Sequence, residues 1–207
     1  EINVQRFKKF LPQNFKISIF SEEKLNIPNH TEVKNLFENY DKVKQFISFH
    51  KNNPRKYNLN FLVKTYQVNY LKFCFKIFTM IKASRLYSDY DFMLWLDADI
   101  YIKKKLDSKI LKFLFNKEYF CSYLNRELVK RKMLTNSETG IIIFNLGAKD
   151  SIRFFSFLED LYFSGNIFKL PAWCDASAFD FSRITFEKLY RTKFNKLSSG
   201  KSSFPIY

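Results

Sequence analysis

Asp91-Phe92-Met93-Leu94-Trp95-Leu96-Asp97-Ala98-Asp99 is the stretch that decides the fold. Phe92 to Leu96 is an unbroken apolar run of strand length, which reads as a fully buried parallel strand. Two carboxylates close it abruptly. An ionised aspartate is costly to bury without a partner. Side chains at i and i+2 of an extended chain share a side, so Asp97 and Asp99 are expected to converge on one cation. Hard divalent ions such as Mg2+ and Mn2+ prefer carboxylate oxygens and share their remaining positions with phosphates. Taken alone, an Asp-x-Asp pair more often caps a turn or a following helix.

Upstream, residues 61–87 carry the longest helical pattern. Val63, Tyr66, Tyr70, Cys74, Ile77 and Ile81 recur at three or four residues and form one apolar face. Lys72, Lys76, Thr79 and Ala83 form another face at the same period. Downstream, residues 108–116 read as a helix, 118–124 and 139–146 as strands, and 151–163 as an apolar-rich helix. A last helix opens at Asp175 and runs to about Tyr190, and 195–203 read as irregular. Before residue 61, an amphipathic helix over 1–11 is ended by Pro12. Residues 15–20 alternate as a strand, and 21–60 read as short helices and long loops. Helices alternating with buried strands predict one doubly wound α/β domain over residues 1–207. Such sheets bind ligands beyond the carboxyl ends of their strands, where Asp97 and Asp99 stand.

The chain has 207 residues and a hydrophobic fraction of 46%, which suits one domain with a sizeable core and excludes a disordered chain. With Phe at 26 and Gly at 4, the composition is biased, so a single Phe or Lys is a weak signal. A formal net charge of +15 favours anionic partners. The charge is spread along the chain with no long basic tail, which reads as a solvated Lys-rich surface. Cys74, Cys121 and Cys174 lie far apart. Buried, reduced thiols are expected, with neither a disulfide framework nor a zinc site, as suits a cytoplasmic compartment. The apolar runs fall far below the ~20 residues of a membrane-spanning helix, and no signal peptide stands at the start. The chain begins at Glu1, so a fragment or a processed form is expected.

The wider stretch Tyr90 to Ile102 resembles the signature of GT-A glycosyltransferases, in which a hydrophobic strand ends in Leu-Asp-x-Asp and more apolar residues follow. The resemblance covers roughly residues 60–190. It implies a GT-A-like fold, a mixed, mainly parallel sheet flanked by helices. It also implies a nucleotide-diphosphate sugar donor and Mn2+ or Mg2+ at Asp97 and Asp99. The first aspartate would contact the donor ribose, or the metal through water, and the second the metal directly. Lys76, ahead of Lys72, would point toward the acidic motif or the diphosphate. Ser137 to Leu146 is similar to a strand that follows a Thr/Ser-Gly turn beside the donor sugar and the acceptor. There Gly140 would permit close backbone approach or positive φ. Glu138 would serve as a catalytic or acceptor-binding carboxylate, or else as a turn cap. In Trp173 to Asp180, Asp175 would reach the sugar hydroxyls or the reacting centre. Capping a helix would also explain an aspartate there. Trp173 would stack on a sugar or pack the loop. The sequence departs from the family in having no His after His50, which leaves the third metal ligand open. A short start also leads to an expectation of truncation at one or both ends.

A glycan, lipid or protein would be the acceptor, and the basic surface suggests peripheral association with a membrane. A nucleic-acid-binding protein is the alternative raised by charge and aromatics. It calls for a clustered basic stripe and a binding motif, and neither is present. A phosphoryl or nucleotidyl transferase calls for a Gly-rich phosphate loop near the start, and no glycine precedes Gly140.

Overall fold

Alternate residues of the run at 92–96 face opposite layers. Phe92 and Leu94 pack with Leu106, Leu114 and Ile143, while Met93 and Trp95 pack against a larger cluster that includes Phe78, Phe144 and Phe179. Both faces are covered, so both sets of positions are apolar. The computed structural model describes residues 2–22, 32–38, 40–53, 69–100, 102–125 and 137–198. In chain order the elements are α1 (Ile2–Phe10), β1 (Ser18–Ser21), β2 (Glu32–Asn35), α2 (Asp41–Asn52), α3 (Tyr70–Leu86), β3 (Phe92–Leu96), α4 (Ser108–Leu114), β4 (Cys121–Asn125), β5 (Ser137–Asn145), α5 (Ser151–Phe163), a 3-10 turn at Asn166–Lys169, α6 (Asp175–Tyr190) and β6 (Phe194–Lys196).

The architecture is mixed α/β with two small sheets. β1 and β2 pair in parallel, and a four-stranded sheet has the order β3-β5-β4-β6. In the four-stranded sheet, among the described residues, β5 runs antiparallel to both β3 and β4, and β4 pairs with β6 in parallel. The α/β class and the mixed sheet are as expected, but among the described residues the sheet is neither doubly wound nor mainly parallel. β3 is also half-buried rather than fully buried, and it lies at the end of the strand order, antiparallel to β5. A continuous apolar run reports that both faces of a strand are covered, and says nothing about its direction. Helices α3, α5 and α6 supply the larger layer, and α4 with Leu11 supplies the smaller one.

Side-chain caps open two of the helices. Asn69 caps α3 by accepting from the Lys72 amide, and Asp107 caps α4 by accepting from the Ile110 amide. Val63 and Tyr66 lie outside the described residues. The region read as short helices and loops contains β2 and the three-turn helix α2. The stretch read as irregular after residue 194 begins with β6, and residues 199–203 of it lie outside the described set.

The larger core is dominated by aromatics. Phe144 meets Phe155 at 5.0 Å between centroids, and Phe154 meets Phe120 at 4.9 Å and Phe186 at 5.1 Å. Each such ring, once buried, contributes on the order of 1.5–3 kcal/mol through area alone. One buried carboxylate ties three helices and their approaches together. Glu159 accepts from Arg85 at 3.0 and 2.8 Å and from the Tyr40 hydroxyl at 2.7 Å. Burial alone would raise the Glu159 pKa, but the Arg85 and Tyr40 donors outweigh it and hold the carboxyl below its ordinary value. All three cysteines are buried and free, as expected.

Candidate functional site

A cleft of about 2090 Å3 opens along β3 and one face of α3. Lys72, Lys76, Thr79 and Ala83 line it, which is the second helical face read from the sequence. Residues of β1 also line it, as do Asp97, Asp99 and Asp175.

At the end of β3 the Asp97 amide donates to the Gly140 carbonyl at 2.9 Å, which completes the antiparallel pairing with β5. The Ile100 amide then donates back to the Asp97 carbonyl at 3.0 Å. The chain therefore turns over residues 97–100, and Ala98 and Asp99 sit in the turn. The extended-chain argument for converging Asp97 and Asp99 side chains does not hold in this geometry, because extension stops at Leu96. Asp97 is half-buried and Asp99 is exposed.

Lys76 Nζ lies 2.8 Å from Asp97 Oδ1, 2.9 Å from Asp97 Oδ2 and 2.7 Å from Asp175 Oδ2. It also donates to Thr139 Oγ1 at 3.2 Å. Thr139 in turn donates to Asp175 Oδ2 at 2.7 Å, and Trp95 Nε1 donates to Asp97 Oδ1 at 2.7 Å. One ammonium thus joins two carboxylates delivered by separate elements. The Lys76 side chain is 13% exposed and that of Asp175 is 9%, so this is a largely desolvated cluster with an open side at Asp97.

Asp175 is the first residue of α6, and Cys174 is its N-cap. Its carboxylate goes to Lys76 and Thr139, so the expected capping role is replaced by a bridge between α6, α3 and β5. Asp180, on the same helix, accepts from the Ser137 amide at 3.1 Å and from the Ser137 hydroxyl at 2.5 Å. Ser137 and Thr139 share one face of β5, so α6 holds the start of that strand at two successive inward positions.

Gly140 serves by close approach. A Cβ there would meet Ile100 Cδ1 at 2.8 Å, Glu138 Oε1 at 3.4 Å and Asp97 Oδ2 at 3.5 Å. Among described residues the positive-φ glycine is Gly165, so the alternative reason for Gly140, a positive φ, is not the operative one. Glu138 is half-buried, and its Oε1 accepts from the Gly140 amide at 3.2 Å. Neither Glu138 nor Gly140 lines the cleft. Trp173 is 4% exposed and packs edge-on against Phe168 and Tyr70 at 5.1 and 5.7 Å. Core packing covers it, which corrects the reading of a sugar-stacking surface. His50 is buried among Phe46, Phe49, Tyr70 and Phe168, and His30 lies outside the described residues.

Among the described residues no group of three His, Cys, Asp or Glu side chains is arranged to hold a metal ion. The cleft still suits a hard cation by charge and donor type. Asp97, Asp99 and Asp175 supply carboxylate oxygens around Lys76, while Lys16, Lys72 and Lys112 also line the cleft, so its five carboxylates exceed its four ammoniums by one. Two signals in the sequence went unread. The indole of Trp95, two residues before Asp97, orients that carboxylate, and Thr139 relays between Lys76 and Asp175. The chain was compared with family models, with curated proteins and with solved structures, and none of them matches it.

Proposed function

We propose that this chain is the catalytic domain of a metal-dependent glycosyltransferase of the GT-A type, acting in the cytoplasm on a nucleotide-diphosphate sugar. A glycan, lipid or protein is the acceptor. The observation that carries the reading is the convergence of Asp97, Lys76 and Asp175 on one cleft wall, with Asp99 exposed beside them. Charge arithmetic supports a metal. A diphosphate that comes up against Asp97 and Asp99 meets like charge there, which a divalent ion held between them would offset. Asp99 and Asp97 would hold that ion, with water and phosphate oxygens completing its shell. When bound it supplies Lewis-acid stabilisation of the departing diphosphate.

The chain's own residues do the rest. In the transfer the bond from the sugar C1 to the phosphate oxygen breaks, and its electron pair stays on the diphosphate. The acceptor hydroxyl oxygen bonds to C1, and its proton leaves with the phosphate. Lys76 is a fixed cation beside the developing charge, pre-positioned by two carboxylates, so little reorganisation accompanies the reaction. Asp175, anchored by Thr139, presents an oxygen to sugar hydroxyls. The cleft's aromatic wall, with Phe73, Phe75 and Trp95, excludes water from one side.

The experiment is a panel of nucleotide sugars and free nucleoside diphosphates, with and without Mn2+, read by thermal shift and by release of the diphosphate. A metal-dependent shift with one nucleotide, lost in Asp99→Ala while the melting transition stays cooperative, is the expected result. No response to any nucleotide with metal would overturn the reading. Stabilisation by oligonucleotides indifferent to Mn2+ would do the same.

A further inference from the structure

At the end of the sheet opposite the Lys76–Asp97–Asp175 cluster, α5 begins and α6 finishes side by side. Arg153 lies over the Tyr190 ring at 4.7 Å, and the Thr192 hydroxyl donates to the buried Asp150 carboxylate at 2.7 Å. Two aliphatic side chains protrude there. Ile152 is 85% exposed and Leu189 is 69% exposed, the two most exposed large apolar residues among those described. Exposed cations stand around them: Lys149 and Arg153 at the start of α5, and Lys188, Arg191 and Lys193 at the end of α6. Of the acids nearby, Glu187 is paired with Arg183 at 2.8 Å and Asp91 with Lys117 at 2.8 Å, Asp150 is buried and accepts from the neutral Thr192 hydroxyl, and Glu118 is exposed.

Arg191 is the residue that ends the helix. It closes α6 in the left-handed region, with φ 57, where glycine is the residue that carries no steric penalty.

We infer that this end of the molecule is a docking surface for an anionic lipid bilayer, with Ile152 and Leu189 entering the interface and the five cations meeting phosphate headgroups. Charge complementarity selects an anionic partner, and the protruding aliphatics select one with an apolar interior. A nucleic acid offers phosphates but gives no reason for two exposed aliphatic tips. α6 runs from Asp175 at the cleft to Tyr190 in the patch, about 24 Å along its axis. The Lys76–Asp97–Asp175 cluster therefore lies at the other end of α6 from the patch. This inference does not rest on the transferase reading and fails separately from it.

The test is sedimentation of the whole chain with vesicles of pure phosphatidylcholine and with vesicles of phosphatidylcholine plus phosphatidylglycerol. Binding to the mixed vesicles only is expected. Lys188→Ala with Lys193→Ala should weaken it roughly 25-fold, at about fivefold per cation. Ile152→Ser with Leu189→Ser should weaken it about tenfold or more at unchanged charge. All four side chains are exposed, so both variants are expected to fold, and each is read independently after its melting curve is checked. No binding to the anionic vesicles would overturn the proposal, as would binding that neither variant alters. Tighter binding to a single-stranded oligonucleotide, insensitive to Ile152→Ser with Leu189→Ser, would assign the patch to nucleic acid instead.

Discussion

Replacing Lys76 by Met keeps the side-chain length and removes the one cation that Asp97 and Asp175 share. Two carboxylates that approach the same ammonium at 2.8 and 2.7 Å are then left facing each other. Breaking one partner of a fully buried pair costs about 3–5 kcal/mol. Asp97 keeps 32% of its side-chain surface, so solvent screening lowers the figure to about 2–3 kcal/mol. For a domain of this size that corresponds to a fall in melting temperature of roughly 4–12 °C. The assay is urea unfolding of the wild type, Lys76→Met, Asp175→Asn and the double variant. Asp175→Asn removes one of the two repelling charges, so the double variant should recover about 1–2 kcal/mol relative to the sum of the singles. Additivity within about 0.5 kcal/mol would refute the shared-ammonium geometry. A stabilised Lys76→Met would do so as well. In the transferase reading the double variant regains stability but not turnover.

Gly140→Ala places a methyl group 2.8 Å from Ile100 Cδ1 and 3.5 Å from Asp97 Oδ2. The Ile100 tip can rotate away, so a stability loss of only about 1 kcal/mol is expected in thermal melts, with a larger loss of metal-dependent nucleotide binding. A variant that binds as the wild type does would separate Gly140 from the site. The pairing of β1 with β2 should be acid-labile. Burial would raise the Glu32 pKa, but hydrogen bonds from Lys34, Tyr87, Ser18 and Lys16 outweigh it and bring it from 4.5 down to about 2. The folded value is depressed, so Glu32 contributes stability above pH 4.5 and loses it as pH falls through about 2. Urea midpoints of the wild type and Glu32→Gln should differ at neutral pH and merge toward pH 2. A gap that persists in acid would exclude this role.

Much of the local structure follows from the sequence, because its causes are local. Periodicity marks α3 and both of its faces, and the lysine face is the one that lines the cleft. α5 and α6 follow from the same signal at nearly their observed bounds. β3 is legible as a strand closed by Asp97 for a similar reason, since a short apolar run ending in a carboxylate has few alternatives. β2 and β6 are not legible. Glu32-Val33-Lys34-Asn35 and Phe194-Asn195-Lys196 have weak strand character, and they owe their form to partners far along the chain, β1 and β4.

The direction of the strands and the membership of the site are decided only in three dimensions. Leu94 and Ile143 face one layer while Trp95 and Ile142 face the other, so the pattern is equally apolar whichever way β5 runs. Asp97 and Asp99 are equivalent letters in the motif, yet a turn at 97–100 sends the first to Lys76 and leaves the second in solvent. Trp173 and Asp175 are two residues apart, and one enters the core while the other enters the cleft. Sequence by itself determines which segments must bury an apolar face, since that depends on each residue's own affinity for water. Which polar groups meet depends on how separate elements close upon each other. The pairing of Lys76 with Asp97 and Asp175 is therefore a property of the packed molecule.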